Sequence, residues 1–141
     1  MEHPVTALLV FSRPETLHQL KVALAHSRVA SSTVRTCGEA ALHLWRLDPP
    51  HLVFTDTQLE DAAWTDVLRL AARALAPVNV IVVSPVVDVG LYIQAIELGA
   101  SDFLVPPFRP EEVGHVVRTT AANVLRRRRE RNPVASNGFA P

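Results

Sequence analysis

The feature that most constrains this chain is an alternation. Short apolar runs recur along it, and between them lie segments whose apolar residues fall at helical spacing. The runs are VTALLVF (5–11), STVRT (32–36), HLVFT (51–55), VNVIVVS (78–84) and DFLV (102–105). The first, third and fourth are almost unbroken, as expected of parallel strands covered on both faces. Pro14-Glu15 opens a first helix, with Leu17, Leu20 and Leu24 in one stripe. A second runs from Gly38 to Leu47, with Ala41, Leu44 and Trp45 on one face, and Asp48-Pro49-Pro50 closes it. The third spans about 65–75 and the fourth 88–98, where Gly99 supplies a left-handed C-terminal residue. Pro110 starts the fifth, Glu111 and Glu112 face the positive end of its dipole, and Val113, Val116, Val117 and Val124 form its inward stripe.

Strand and helix thus alternate five times. Right-handed crossovers then predict an α/β fold, a five-stranded parallel sheet doubly wound by helices on both faces. Ligands of such sheets gather at the carboxyl ends of the strands. The residues to inspect are therefore Ser12-Arg13, Asp56 onward, Ser84-Pro85 and Pro106-Pro107. No GxGxxG or GxxxxGK[ST] loop follows any strand, which argues against a small flavodoxin-like enzyme or nucleotide binder.

Bulk properties fit one domain. The chain has 141 residues, 48% of them hydrophobic, enough to bury a core. Fourteen basic residues balance 14 acidic ones, so net charge predicts neither a nucleic-acid nor a membrane partner. Cys37 is the single cysteine, which excludes an internal disulfide and suits a reducing compartment. No apolar run approaches a bilayer span, and MEHPVTALLVFSRP lacks the features of a secretion signal. A cytoplasmic location is expected. The six histidines are scattered without metal-ligand spacing, and Cys37 suits a small buried apolar position. Arg126 to Arg129 form a basic run, followed by Glu130, Arg131 and NPVASNGFAP. This predicts a folded domain over 1–126 and a basic, disordered tail or linker over 127–141. The arginines suit the negative end of a helix dipole, a nucleic-acid contact being the sharper alternative.

Taken in order, the strand ends resemble the receiver domain of bacterial two-component response regulators. The likeness spans residue 5 to about 126. It rests on LLVFSRP, GEAAL, HLVFTD, IVVS and above all AIELGASDFLVPPF, where the small residues, aspartate, aromatic and prolines fall in register. The resemblance implies a sheet in order 2-1-3-4-5 and a phospho-acceptor at Asp56, charged by a histidine kinase. It implies switch positions at Ser84 and Phe103, and a partner or dimer surface on the fourth helix, fifth strand and fifth helix. SPVVDVGLYIQAI carries surplus apolar residues there. It also implies Mg²⁺, held by two acidic residues after the first strand, and a lysine after the fifth.

Here the chain departs from the family. The acidic pair falls on Phe11 and Ser12 and the lysine on Pro106, while Lys21 is the sole lysine. The loop after Asp56 reads TQLEDAAW, with Trp64 where the family has glycine. Mg²⁺ binding is expected to be weak or absent, with no other cofactor or metal and no enzymatic activity. Asp56 is expected to pair with Arg13. The expectation is a degenerate receiver: a phosphorylation-independent interaction module that controls transcription through an output domain outside this sequence, its only route to nucleic acid. The alternative is an active acceptor at Asp56, with Arg13 or Arg109 as substitute cation, or Glu60 or Asp61 as metal ligands. Ser84 reads more readily as a strand-ending turn and Phe103 as core than as switch residues, and the Pro106-Pro107 corner suits a cis bond.

Overall fold

The structure is a computed structural model, which describes residues 4–131. Its elements are β1 (Val5–Val10), α1 (Pro14–Leu24), β2 (Val29–Val34), α2 (Cys37–Leu44), β3 (Leu52–Asp56), α3 (Trp64–Ala72), β4 (Asn79–Val83), α4 (Val89–Glu97), β5 (Asp102–Leu104) and α5 (Pro110–Arg131). The five strands form one sheet in the order β2-β1-β3-β4-β5, with all pairings parallel. Architecture and strand order are those expected.

The unbroken apolar runs became the middle of the sheet because only there are both faces covered. Every residue of β3 and β4 is buried. Along and just past β1, Ala7, Leu9 and Phe11 pack with Leu20, Phe54, Ile81 and Val113 beneath α1 and α5. Leu8 and Val10 point the other way, to Leu44, Val53 and Val67 beneath α2 and α3. This is the two-residue period of a strand dividing one segment between two cores. Trp64, Val82, Ala95 and Ala100 form a smaller third cluster.

Three local expectations need correction. β2 begins at Val29 rather than at residue 32, in register Val5↔Val29 with β1. It is an edge strand with only Val34 buried, so its sequence carries little hydrophobic signal. α2 stops at Leu44, and Trp45 caps it with 59% of its surface exposed instead of facing the core. Ala40, Ala41 and Leu44 already fill the inward stripe. The basic run is part of the fold. α5 continues past residue 126 to Arg131, and Arg128 reaches back to the floor of the sheet. Its Nε donates to Pro77 O (2.9 Å), and Nη2 donates to Pro49 O (3.0 Å) and Pro50 O (2.9 Å). Arg127 donates to Asn79 Oδ1 (2.5 Å), whose amide donates to Thr120 O (2.9 Å) and Asn123 Oδ1 (3.0 Å). The expected tail therefore overlaps the folded body over 127–131, and 132–141 lie outside the described residues.

Gly99 adopts φ +107°, as a left-handed C-terminal residue should, with its N–H donating to Ile96 O (3.1 Å). The Pro106-Pro107 bond is cis. Among the described residues, no helix is long and apolar enough to cross a membrane.

Candidate functional site

Asp56 ends β3 at the carboxyl edge of the sheet and has no solvent exposure. Its Oδ1 accepts from Thr57 N (2.9 Å). Oδ2 accepts from Arg13 N (3.2 Å), and the Ser12 Oγ lies 3.4 Å away. That hydroxyl also lies 2.7 Å from Gln58 O, to which it donates. Arg13 Nη1 stands 3.4 Å from Asp56 Oδ1. Nη1 is shielded from solvent but makes no directed hydrogen bond, so charge and proximity define this ion pair. Pro14 opens α1 immediately afterwards, so β1 delivers Ser12 and Arg13 to the end of β3.

The other candidate positions are equally definite. Phe11 is 2% exposed and belongs to the core between the sheet and α1/α5. Pro106 lies at the cis corner and lines, with Pro107, Phe108, His18, Gln19 and Val22, an open cleft of about 500 Å³. Arg109 pairs with Glu112 at 3.8 Å on its own helix. Glu60 pairs with Arg35 at 3.1 Å. Asp61 accepts from Cys37 N (2.9 Å) and Gly38 N (3.0 Å), so it caps the start of α2. Those bonds hold its carboxyl below the ordinary carboxylate range, Cys37 N–H first and Gly38 N–H second. Neither of the acidic loop residues turns toward Asp56. Among the described residues, no group of three or more His, Cys, Asp or Glu side chains comes together to hold a metal.

Ser84 is buried, and its hydroxyl donates to Val86 O (2.6 Å) and accepts from Val86 N (3.3 Å). It thus makes a local turn at the end of β4. Phe103 is half-buried, edge-on to Tyr92 with ring centroids 5.7 Å apart. Trp64 fills the space between α3 and α4. The loop before it closes on itself, with Leu59 N donating to Ala62 O (2.9 Å) and Gln58 bridging Ala63. Burial, then the Asp61 and Asp66 charges, push the Cys37 thiol up, which makes it a poor nucleophile. Sequence reasoning missed the Gln58 carbonyl and Thr57 N–H as partners of the site. Backbone groups have no residue-type signal.

α4 leaves a broad apolar face. Only Ala95 is buried, whereas Val86, Val87, Val89, Tyr92, Ile93 and Ile96 are exposed.

The family model of the response regulator receiver domain matches residues 8–118. The "Probable transcriptional regulator ycf27" of Cyanophora paradoxa is 31% identical over 99 residues, covering 70% of this chain and 38% of that protein. The "Transcriptional regulatory protein KdpE" of Mycobacterium tuberculosis is 32% identical over 123 residues, covering 84% and 54%. The chain thus spans about a third to a half of the length of these relatives. In fold it is similar to the signal receiver domain of a putative Luxo repressor protein from Vibrio parahaemolyticus. There the TM-score is 0.76 at 24% identity, covering 88% of this chain and 94% of that one. A putative response regulator from Chloroflexus aurantiacus gives 0.74 at 21%, covering 85% and 99%. With strand order and matched length in agreement, the chain belongs to the response regulator receiver domain family of two-component signalling.

Proposed function

We propose that this receiver works without conventional phosphorylation of Asp56, as a constitutive interaction module of an atypical response regulator. The observation that carries this reading is the Arg13–Asp56 ion pair, 3.4 Å between Nη1 and Oδ1. Mg²⁺ requires several oxygen ligands in near-octahedral array. The residues here do not fit that demand. Among the described residues, Asp56 is the one carboxylate at the site, Phe11 is committed to the core, and Ser12 spends its hydroxyl hydrogen on Gln58 O. A guanidinium beside the carboxylate repels a second cation. Pro106 brings no charge for an incoming phosphoryl group. Arg13 serves instead as a permanent counter-ion that holds the carboxyl edge in one state.

Output then depends on contacts rather than on a covalent switch. The exposed apolar face of α4, continuing to β5 and α5, is the surface for a protein partner or dimer mate. The similar proteins named as transcriptional regulators extend well beyond the matched segment. The same reading has transcription controlled through an output domain outside this sequence, with nucleic acid contacted by that domain alone. The chain acts as a regulator, not a catalyst.

The test is incubation with acetyl phosphate and Mg²⁺ followed by intact mass measurement. No phosphoryl adduct is expected, and Mg²⁺ should leave the melting temperature unchanged. An adduct that Asp56→Asn abolishes would overturn the proposal in favour of an active acceptor.

A further inference from the structure

A second surface lies on the opposite flank, at the outer edge of the sheet. The order β2-β1-β3-β4-β5 leaves two edges. β5 is three residues long and runs into Pro106-Pro107, so it offers little to pair with. β2 is six residues long, and Ala30, Ser31, Ser32 and Thr33 are all exposed.

The direction of its backbone groups follows from one hydrogen bond. Phe11 N donates to Val34 O (3.0 Å), so Val34 faces β1. By the two-residue period, Ser32 and Ala30 face β1 as well, while Ser31 and Thr33 turn N–H and C=O outward. No turn or loop contact uses these groups. The open stretch is bounded on both sides: Val29 N donates to Ser27 O (3.0 Å), and Arg35 N donates to Glu39 Oε1 (3.1 Å). Between those closures the edge presents donors and acceptors at strand spacing, the arrangement that captures an added strand.

Charge selects the occupant. The segment 28–35 reads RVASSTVR, with a cation at each end and no acidic residue. Lys21 joins them beside a cleft of about 390 Å³ between α1 and β2, lined by Lys21, Leu24, Ala25, Ser27, Val29 and Ser31. Among the described residues, neither Lys21 nor Arg28 has an ion-pair partner, while Arg35 is held by Glu60. A second copy is a poor occupant. Its β2 edge carries the same cations and no acidic residue, so it brings no carboxylate to Lys21 or Arg28.

We propose that the outer edge of β2 binds an extended, carboxylate-bearing segment of another protein as an additional strand. Ser31 and Thr33 supply the backbone pairing, the α1–β2 cleft takes one side chain, and Lys21 and Arg28 favour acidic residues. The site is independent of Asp56 and of the α4 face.

The test titrates the ¹⁵N-labelled full chain with the acetylated, amidated peptide EVTVTVD and with its basic counterpart KVTVTVK. Saturable shifts over 28–35 and the end of α1 are expected with the acidic peptide, at least about tenfold weaker binding with the basic one, and weakening by salt. Thr33→Pro removes an outward N–H that has no partner in the fold, so the variant should keep its far-UV spectrum and lose at least about tenfold in affinity. Arg28→Glu, a surface change, should weaken binding in the same direction and serves if the proline variant fails to fold. The proposal is overturned by no saturable binding, by shifts mapping to α4, or by equal affinity for both peptides. Binding unchanged in the folded Thr33→Pro variant, or self-association through β2 that Thr33→Pro removes, overturns it equally.

Discussion

A carboxylate with no access to water persists only where donors and a counter-charge replace its hydration. Asp56 has Thr57 N, Arg13 N and the Arg13 guanidinium. Asp56→Ala strands two backbone donors and should cost about 1–3 kcal/mol in urea denaturation, with Asp56→Asn costing less because its amide oxygen still accepts. Arg13→Ala should cost less than Asp56→Ala, since the Arg13 side chain is 41% exposed and water screens its charge. Sequence alone suggested this pair, because Arg13 follows one strand end and Asp56 closes another. It did not suggest the withdrawal of Glu60 and Asp61, whose partners Arg35 and Cys37 lie 25 and 24 residues away in the chain.

His51 carries a pH signature at the same scale. Its Nδ1 accepts from Thr6 N (3.0 Å), which requires that nitrogen unprotonated. Burial first, then the Arg128 charge, hold it below its ordinary value of 6.5, with Asp48 opposing. The unfolded chain therefore takes up a proton at a higher pH than the folded one. Stability is fully present above about pH 6.5 and declines as pH falls from there to the depressed folded value. His51→Asn keeps an acceptor without titrating, so it should flatten the slope of denaturation midpoint against pH in that window.

At the scale of elements, the start of α2 concentrates the local design. Thr36 accepts from Glu39 N (3.1 Å), Glu39 accepts from Thr36 N (3.2 Å), and Asp61 takes the next two N–H groups. Thr36→Ala should cost about 1 kcal/mol of stability, measured by chemical denaturation. Glu39 is held below its usual range by the Arg35 N–H and then the Thr36 hydroxyl, and Asp66 by the Ala63 N–H and then Arg69. With Asp61, these carboxylates contribute stability above their unfolded values of 4.5 and 3.8, lost as pH falls through their lower folded values. Asp61→Asn should reduce the steepness of that acid limb. Thr36 and Glu39 stand at capping-box spacing in TCGE, although the expected helix began at Gly38; Asp61 as its extension left no local signal, because the loop that carries it folds over from another unit. The same limit applied to β2 and Trp45. An edge strand and a helix end have too little burial to imprint a period on the sequence.

For the molecule as a whole, the end of α5 matters more than its charge suggests. Arg128 ties three backbone carbonyls from two loops to the last turns of the helix. Arg128→Ala should destabilise by about 1–3 kcal/mol and accelerate amide exchange over the last turns of α5 more than elsewhere. A solvated basic run would show neither effect. Within the chain, periodicity fixed the central strands, most of the helix stripes and the parallel, doubly wound class, because burial on both faces of a sheet leaves a local hydrophobic record. Register at the edge strand and the partners of Asp61, Arg127 and Arg128 were decided by the tertiary structure alone. Those partners are backbone groups and distant side chains, and only packing determines which of them a long, charged side chain can reach.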